Sequence, residues 1–296
     1  MKEKKGLILV NAYSNMASSL NQSKRLKEEF SKLNIQIDIV KNGEFTTYIK
    51  NSLIVSGYLD YDFCVYLDKD KYVSEMLEKK GLKLFNSHES IRLCDDKMRT
   101  YIALSENGVN VVDTIPGALC YTENSQVDEL KIKEIGEKLS YPVIVKHNYG
   151  SLGKEVFIAN NFEELLSLAK KVKTLPHLFQ KCINTSYGKD IRVITIGGKV
   201  VASMMRKSNN DFRSNIELGG EGERVVLSEE YIKQAEKVAK ILKLDYAGID
   251  VLIGENNEPI ICEVNSNAFF GGIEKVTGVN VAKLYAEYIK SSVYKN

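Results

Sequence analysis

An α/β region followed by two α+β regions is the fold class the sequence predicts, and three observations predict it. The first third alternates short apolar runs with amphipathic helical stretches. The middle places a strand–turn–strand unit between helices. The last third sets two strand pairs around one helix. Strands that alternate with helices indicate a parallel sheet, and strands joined by short turns indicate antiparallel pairing.

In the first third, GLILVN (6–11) reads as a strand, residues 22–33 as a helix and IQIDIV (35–40) as a strand. FCVYLD (63–68) is the next strand, followed by a helix near 70–80 and the strand LKLF (82–85). The middle begins near His88. CDDKMRTYIALSENG (94–108) reads as one helix, with acids at its start and Gly108 at its end. A second helix covers 127–139. YPVIVKH (141–147) and VFIAN (156–160) are strands joined by the turn NYGSLGKE (148–155), and a helix follows at 161–173. HLFQKCI (177–183) opens the last third. DIRVITIGG and KVVASMMRK are strands that meet at Gly197-Gly198. A polar, glycine-rich stretch fills 208–224, and a helix covers 228–243. A hairpin and a closing helix at 279–288 complete the chain. Boundaries are expected near 87 and 178, dividing the chain into 1–87, 88–178 and 179–296.

A chain of 296 residues is long enough for two or three packed units. Apolar residues make up 44% and charged residues 27%, as in ordinary globular proteins. The 41 basic and 39 acidic side chains leave a formal charge of +2, which argues against a dedicated nucleic-acid binder. The five cysteines are scattered, without a C-x-x-C pair, so neither a disulfide framework nor a cysteine zinc site is expected. MKEKKGLILVNAY has an apolar run too short for a signal peptide or membrane span, and the cytoplasm is the expected location.

The hairpin GIDVLIGENNEPIICEVNSN raises the chemical question. Asp250 and Glu263 stand where a buried strand should carry Val or Ile. Moving a charge out of water costs several kcal/mol. Burying an apolar side chain there would gain only about 1.5–3 kcal/mol. Each acid therefore needs a partner. Glu263 and Asn265 are two residues apart and share a strand face, and antiparallel pairing could bring Asp250 beside them. Three hard oxygen donors suit Mg²⁺, which draws its other ligands from water and substrate phosphates. Pairing of the acids with Arg or Lys at strand ends is the structural alternative.

Other segments carry weaker signals. In VIVKHNYGSLGKE, Gly150 and Gly153 permit close approach of N–H groups to an anion, and Lys146 adds a point charge. Neither G-x-x-x-x-G-K-[ST] nor G-x-G-x-x-G is present, and a plain hairpin turn explains the glycines equally well. Lys97 in DDKMR reads as a surface lysine on its own. HLFQKCI can present main-chain groups to a flat heterocycle, or be only a strand. In DFRSNIELGGEGE, Arg213 and Asn215 lie in a stretch without apolar period, with Arg206 and Lys207 just before it. No G-x-S-x-G or H-E-x-x-H occurs, and the three histidines show no metal-ligand spacing.

In this order, the pieces resemble the ATP-grasp superfamily, most closely its RimK-like carboxylate–amine ligases. The resemblance runs through Asp96-Lys97, Pro142 to Lys146, Gly150 to Gly153, Gln180 to Ile183, Gly188 to Arg192, Phe212 to Asn215 and Gly219-Gly220. It closes with Ala247 to Asp250, Glu263-Val264-Asn265 and Gly272 to Gly278, covering residues 88–290. It implies a three-part ATP-grasp fold in which two α+β subdomains sandwich ATP behind a parallel α/β domain. Lys97 and Lys146 would hold ATP phosphates, under a turn formed by Gly150, Ser151 and Gly153. Gln180, Lys181, Cys182 and Ile183 would meet adenine, Asp190 the ribose, and Asn215 the nucleotide. Asp250, Glu263 and Asn265 would hold two Mg²⁺ (or Mn²⁺) ions, and Arg213 would stabilise the transferred phosphoryl group.

The implied reaction joins a carboxylate to an amine through an acyl phosphate, releasing ADP and phosphate. Its alternatives are a phosphotransferase without ligation and a non-catalytic nucleotide-binding scaffold. The implied partners are ATP, a carboxylate that is small or part of a peptide, and an amine or amino acid. A homo-oligomer is also implied, while neither nucleic acid nor membrane is expected. The turn at 150–153 and the stretch 208–224 would close over nucleotide. Two departures stand out: NSNAFFGG where relatives often read N-x-S-P-G, and Lys181 where an acid is frequent. Phe269 and Phe270 are thereby left to line a substrate pocket or to join the core.

Overall fold

The computed structural model describes residues 4–151, 153–208, 211–214 and 220–294. The chain begins with β1 (Lys5–Val10), α1 (Ala17–Lys32) and β2 (Gln36–Lys41). A hairpin of β3 (Thr47–Lys50) and β4 (Leu53–Ser56) follows, then β5 (Phe63–Leu67), α2 (Lys71–Lys79) and β6 (Lys83–Phe85). Four of these strands form a parallel sheet in the order β2-β1-β5-β6. Alternation sends Ile8 and Val10 to one face, against Leu26 and Phe30 of α1 and against Tyr285 and Ile289 near the C-terminal end. Leu7 and Leu9 face the other way, against Leu77 of α2 and Ile91. Burial on both faces explains the unbroken apolar run. Gly6 is required because a Cβ there would lie 2.3 Å from Cζ of Phe63.

The sequence reading gave no strands between 41 and 62, yet β3 and β4 pair there, and only with each other. Their turn uses Asn51 (φ 49°) and Ser52 (φ 61°). This is the two-residue left-handed geometry that Asn-Gly signals most strongly.

The middle contains α3 (His88–Asp95), α4 (Lys97–Leu104), β7 (Thr114–Pro116), α5 (Glu129–Leu139), β8 (Val143–His147), β9 (Val156–Ala159), α6 (Phe162–Val172) and β10 (His177–Lys181). The single helix expected over 94–108 is two helices. Asp96 breaks it with an extended backbone (φ −101°, ψ 105°), and its carboxylate accepts from the N–H groups of Met98 and Arg99. That cap starts α4 at Lys97. The strands form an antiparallel sheet ordered β7-β10-β8-β9, with α5 and α6 packed on one face through Val143, Val145 and Phe179. This sheet continues to Lys181, so the changeover to the next sheet falls between Lys181 and Lys189.

The remainder comprises β11 (Lys189–Ile196), β12 (Lys199–Lys207), β13 (Glu221–Arg224), α7 (Glu229–Ile241), β14 (Tyr246–Ile253), β15 (Pro259–Asn265), α8 (Gly271–Thr277) and α9 (Val281–Tyr294). The strands form an antiparallel sheet ordered β13-β12-β11-β14-β15. Ala235 and Val238 of α7 pack on Val193 and Ile249. Pairing runs Asp250↔Glu263 and then Val251↔Ile261, so Cys262 is the extra residue of a β-bulge. Among the described residues, no helix is long and apolar enough to cross a membrane.

Candidate active site

A cleft lies between the second and third sheets, with an empty volume of about 950 Å³ including open solvent at its mouth. The strand period builds both walls. Val143 and Val145 turn inward to α5 and α6, so Ile144 and Lys146 face the cleft. Across from them stand Asp190, Arg206, Asp250 and Glu263.

Register aligns the charges of the third sheet. Asp190 pairs with Arg206 across β11 and β12, and Arg192 with Asp250 across β11 and β14. Nε of Arg206 donates to Asp190 at 2.7 Å, and Nη2 of Arg206 lies 3.0 Å from Asp250. Arg192 donates to both carboxylate oxygens of Asp250, through Nε to one and through Nη2 at 2.8 Å to the other. Asp250 is 3% exposed and Arg206 also 3%, so these are interior charges. Burial alone would raise the Asp250 carboxyl, but the Arg192 and Arg206 guanidiniums outweigh it and hold its pKa below the usual range. Arg192 fits because residue 248 is glycine: a Cβ there would sit 3.2 Å from Nη1 of Arg192 and 2.3 Å from Cβ of Ala268.

Glu263 is placed differently. Its carboxylate faces the cleft, 3.4 Å from Nζ of Lys97. Lys97 is only 9% exposed, and its ammonium also donates to the Gly150 carbonyl at 3.2 Å. Capping by Asp96 thus aims a buried lysine at the glycine turn. Nζ of Lys146 donates to Sγ of Cys262 at 3.6 Å, and the Tyr101 hydroxyl donates to the Cys262 carbonyl. Burial pushes the Cys262 thiol pKa up, keeping it neutral beside that lysine.

Two loops close the mouth. Gly150, Ser151 and Gly153 line it, as do Phe212, Arg213 and Ser214. Arg213 joins the two loops: it pairs with Asp211 at 2.6 Å and donates through Nη1 to the Gly153 carbonyl. From the first sheet, Nζ of Lys69 reaches Oγ of Ser151 at 3.1 Å.

Of the residues singled out in the sequence, Lys97, Lys146, Gly150, Ser151, Gly153, Gln180, Lys181, Cys182, Ile183, Asp190, Arg213, Asp250 and Glu263 all line this cleft. Asn265 sits opposite Gly248, outside the lining. Asn215 falls outside the described residues. Arg192 and the ion-pairing role of Arg206 were missed. The available signal was the D-x-R spacing of Asp190 and Arg192, which puts opposite charges on one strand face. Phe270 belongs to the core, 1% exposed, with its ring 6.4 Å from that of Tyr246.

Known proteins share this arrangement of elements. The human N-acetylaspartylglutamate synthase A is 36% identical over 229 residues, 77% of this chain and 57% of that protein. The human beta-citrylglutamate synthase B is 34% identical over 84% of this chain and 63% of that protein. This chain therefore spans about three fifths of the length of these curated relatives. Among solved structures, the ATP-grasp ligase PsnB, complexed with minimal precursor, Mg and ADP, superposes with a TM-score of 0.71 at 16% identity, covering 97% of each chain. That likeness extends to the fold. Residues 94–289 match the RimK-like ATP-grasp domain, from the end of α3 to α9 with the whole cleft between, and the chain belongs to the RimK-like ATP-grasp family.

Proposed function

We propose that this chain is an ATP- and Mg²⁺-dependent ligase that joins a carboxylate to an amine through an acyl phosphate, releasing ADP and phosphate. The observation that carries this reading is the convergence of Lys97, Lys146, Arg213 and the glycine turn on one cleft whose far wall bears Glu263 and Asp250. The donor chemistry fits Mg²⁺. Glu263 offers a cleft-facing carboxylate, Asp250 lies opposite it on the neighbouring strand, and Asn265, just beyond the cleft lining, would add an amide oxygen. Among the described residues, no cluster of three His, Cys, Asp or Glu side chains is placed to hold a metal, so phosphate oxygens and water would complete the shell. Two Mg²⁺ ions held this way would neutralise charge on the triphosphate.

The chain's own groups would do the rest. Lys97 and Lys146 would draw the phosphates under the turn. The Lys181 N–H is committed to the Asp113 carbonyl and the Ile183 carbonyl accepts from Ser186, which leaves the Cys182 main chain and the Ile183 N–H for adenine. Asp190, tied to Arg206, would face the ribose. Arg213 would stabilise the transferred phosphoryl group, where positioning and charge do the work and no protein nucleophile is needed. Since Arg213 touches the turn, the two loops would close together and exclude water from the acyl phosphate. The names of both relatives' products contain glutamate, which makes glutamate the leading amine to test here.

Glu263→Gln tests the reading. Mg²⁺-dependent ADP release, over a panel of acids with glutamate as amine, should fall roughly 100-fold or more. The melting temperature should stay near that of the wild type, because Glu263 is only partly buried. Full activity in this variant contradicts the metal assignment. Hydroxylamine trapping separates the chemistries: an acyl hydroxamate supports ligation, and phosphorylated acid without hydroxamate supports simple phosphotransfer.

A further inference from the structure

Three cations from three parts of the chain hold the glycine turn. Nζ of Lys97, at the start of α4, donates to the Gly150 carbonyl at 3.2 Å. Arg213 donates to the Gly153 carbonyl. Nζ of Lys69, between β5 and α2, donates to Oγ of Ser151 at 3.1 Å. Lys97 and Arg213 line the cleft, whereas Lys69 lies outside the lining and ahead of the family match at 94–289. Its backbone is nevertheless firmly placed. In the parallel sheet, β1 leads to β2 on one side and β5 to β6 on the other, so the carboxyl ends of β1 and β5 mark a switch point. Asp68, 5% exposed there, accepts from the side-chain amides of Asn11 at 3.0 Å and Asn42 at 2.9 Å, and from the Lys69 N–H at 2.7 Å. Lys69 also lies 3.4 Å from Asp95, which Lys71 approaches to 2.9 Å. The Lys71 ammonium stands 4.1 Å from the centre of the Tyr149 ring, and the Tyr149 hydroxyl donates to Asp96 at 3.0 Å. Exposed pairs of lysine and acid contribute little to folding. The consequence of this network lies instead in where it holds the turn.

We propose that Lys69 is a positioning residue for nucleotide binding: its ammonium pins Ser151, so that the first sheet holds the turn over the terminal phosphates. This rests on the reading that ATP occupies the cleft, and it extends that reading to a residue of the first 87. Gly150 (φ 144°) and Gly153 (φ 71°) adopt backbone angles that leave the turn free to swing unless it is tied. Ser151 lies between the two carbonyls that Lys97 and Arg213 hold, and its hydroxyl gives the first sheet a grip there. A lysine ammonium only donates, so the Ser151 oxygen accepts from it and keeps its own proton to donate to a phosphate oxygen. Lys69 thus acts on the nucleotide through Ser151, without touching it.

Calorimetric titration of the full chain with ATP and Mg²⁺, without acid or amine, tests the pinning. Lys69→Met should weaken binding roughly tenfold, as expected for the loss of one charge-assisted hydrogen bond. The melting temperature of the nucleotide-free protein should stay unchanged. Lys69→Arg should keep most of the affinity, and Lys79→Met, which removes an equal charge from an exposed position of α2, should keep all of it. Ser151→Ala should also weaken binding, and the two losses should fail to multiply in the double variant. In turnover, Lys69→Met should raise KM for ATP with kcat little changed, the mark of lost ground-state binding. Equal ATP binding by the wild type and Lys69→Met overturns the proposal and leaves the ligase reading standing. So does full multiplication of the two losses, or an equal loss in Lys79→Met. A wild type that binds no ATP overturns both.

Discussion

β1 and β14 are both interior strands of their sheets, yet they are stabilised by opposite means. From Gly6 to Val10, β1 buries only apolar side chains and backbone, each held by neighbours that any similar hydrophobe could replace. β14 buries Asp250 at the same depth, and that charge is tolerated because Arg192 and Arg206 arrive in register from β11 and β12. A slip of one residue in the first sheet, where β1 is apolar on both faces, would exchange one hydrophobe for another. The same slip in the third would strand an interior carboxylate, at several kcal/mol. Strand register is thus enforced most strictly where the cleft lies.

The largest test of this difference is Arg206→Met, which leaves Asp190 unpaired and Asp250 with one guanidinium. It should cost about 3–5 kcal/mol in urea unfolding. Leu9→Ala, at a position with no exposure, should cost about 2–5 kcal/mol through its cavity alone. The two should differ in kind: Arg206→Met with Asp190→Leu should recover much of the loss, because both buried charges leave together. If the double change is no better than the single, the charges do not act as a pair.

A smaller effect separates the sheets by pH. The folded Asp250 carboxyl lies below the unfolded value of about 3.9. The unfolded chain therefore binds more protons, and this contribution to stability rises with pH. It is complete above the ordinary Asp range and is lost as pH falls through the depressed folded value. Asp250→Asn should flatten that acid limb, whereas Leu9→Ala should lower stability equally at every pH. An acid limb that persists in the Asn variant sinks the assignment. Smallest, Asp96→Ala removes the cap of α4 and should cost about 1–2 kcal/mol, read as a fall in melting temperature.

The regions differed in legibility for the same reasons. Short apolar runs made β1, β5, β8, β14 and β15 visible, and Gly197-Gly198 marked the β11–β12 turn. The β3–β4 hairpin was invisible because Asn51-Ser52 adopts its left-handed turn without glycine. The break at Asp96 was missed because an aspartate inside an acidic helix start looks like dipole compensation, not a second cap. The cleft residues were legible as an ordered set of polar groups at strand ends. Partner choice was not: that Asp250 would take Arg192 and Arg206 depends on cross-strand register, which one strand's sequence does not state.

The bulge at Cys262 carries one last consequence. Ile261 and Val264 both reach the same core cluster although they are an odd three positions apart, so the surplus residue resets the alternation between them. Tyr101 holds this position through its carbonyl, which every amino acid possesses. The locking of the strands therefore rests on the backbone at this position, which leaves the thiol to its own contact, the Lys146 ammonium in the cleft wall.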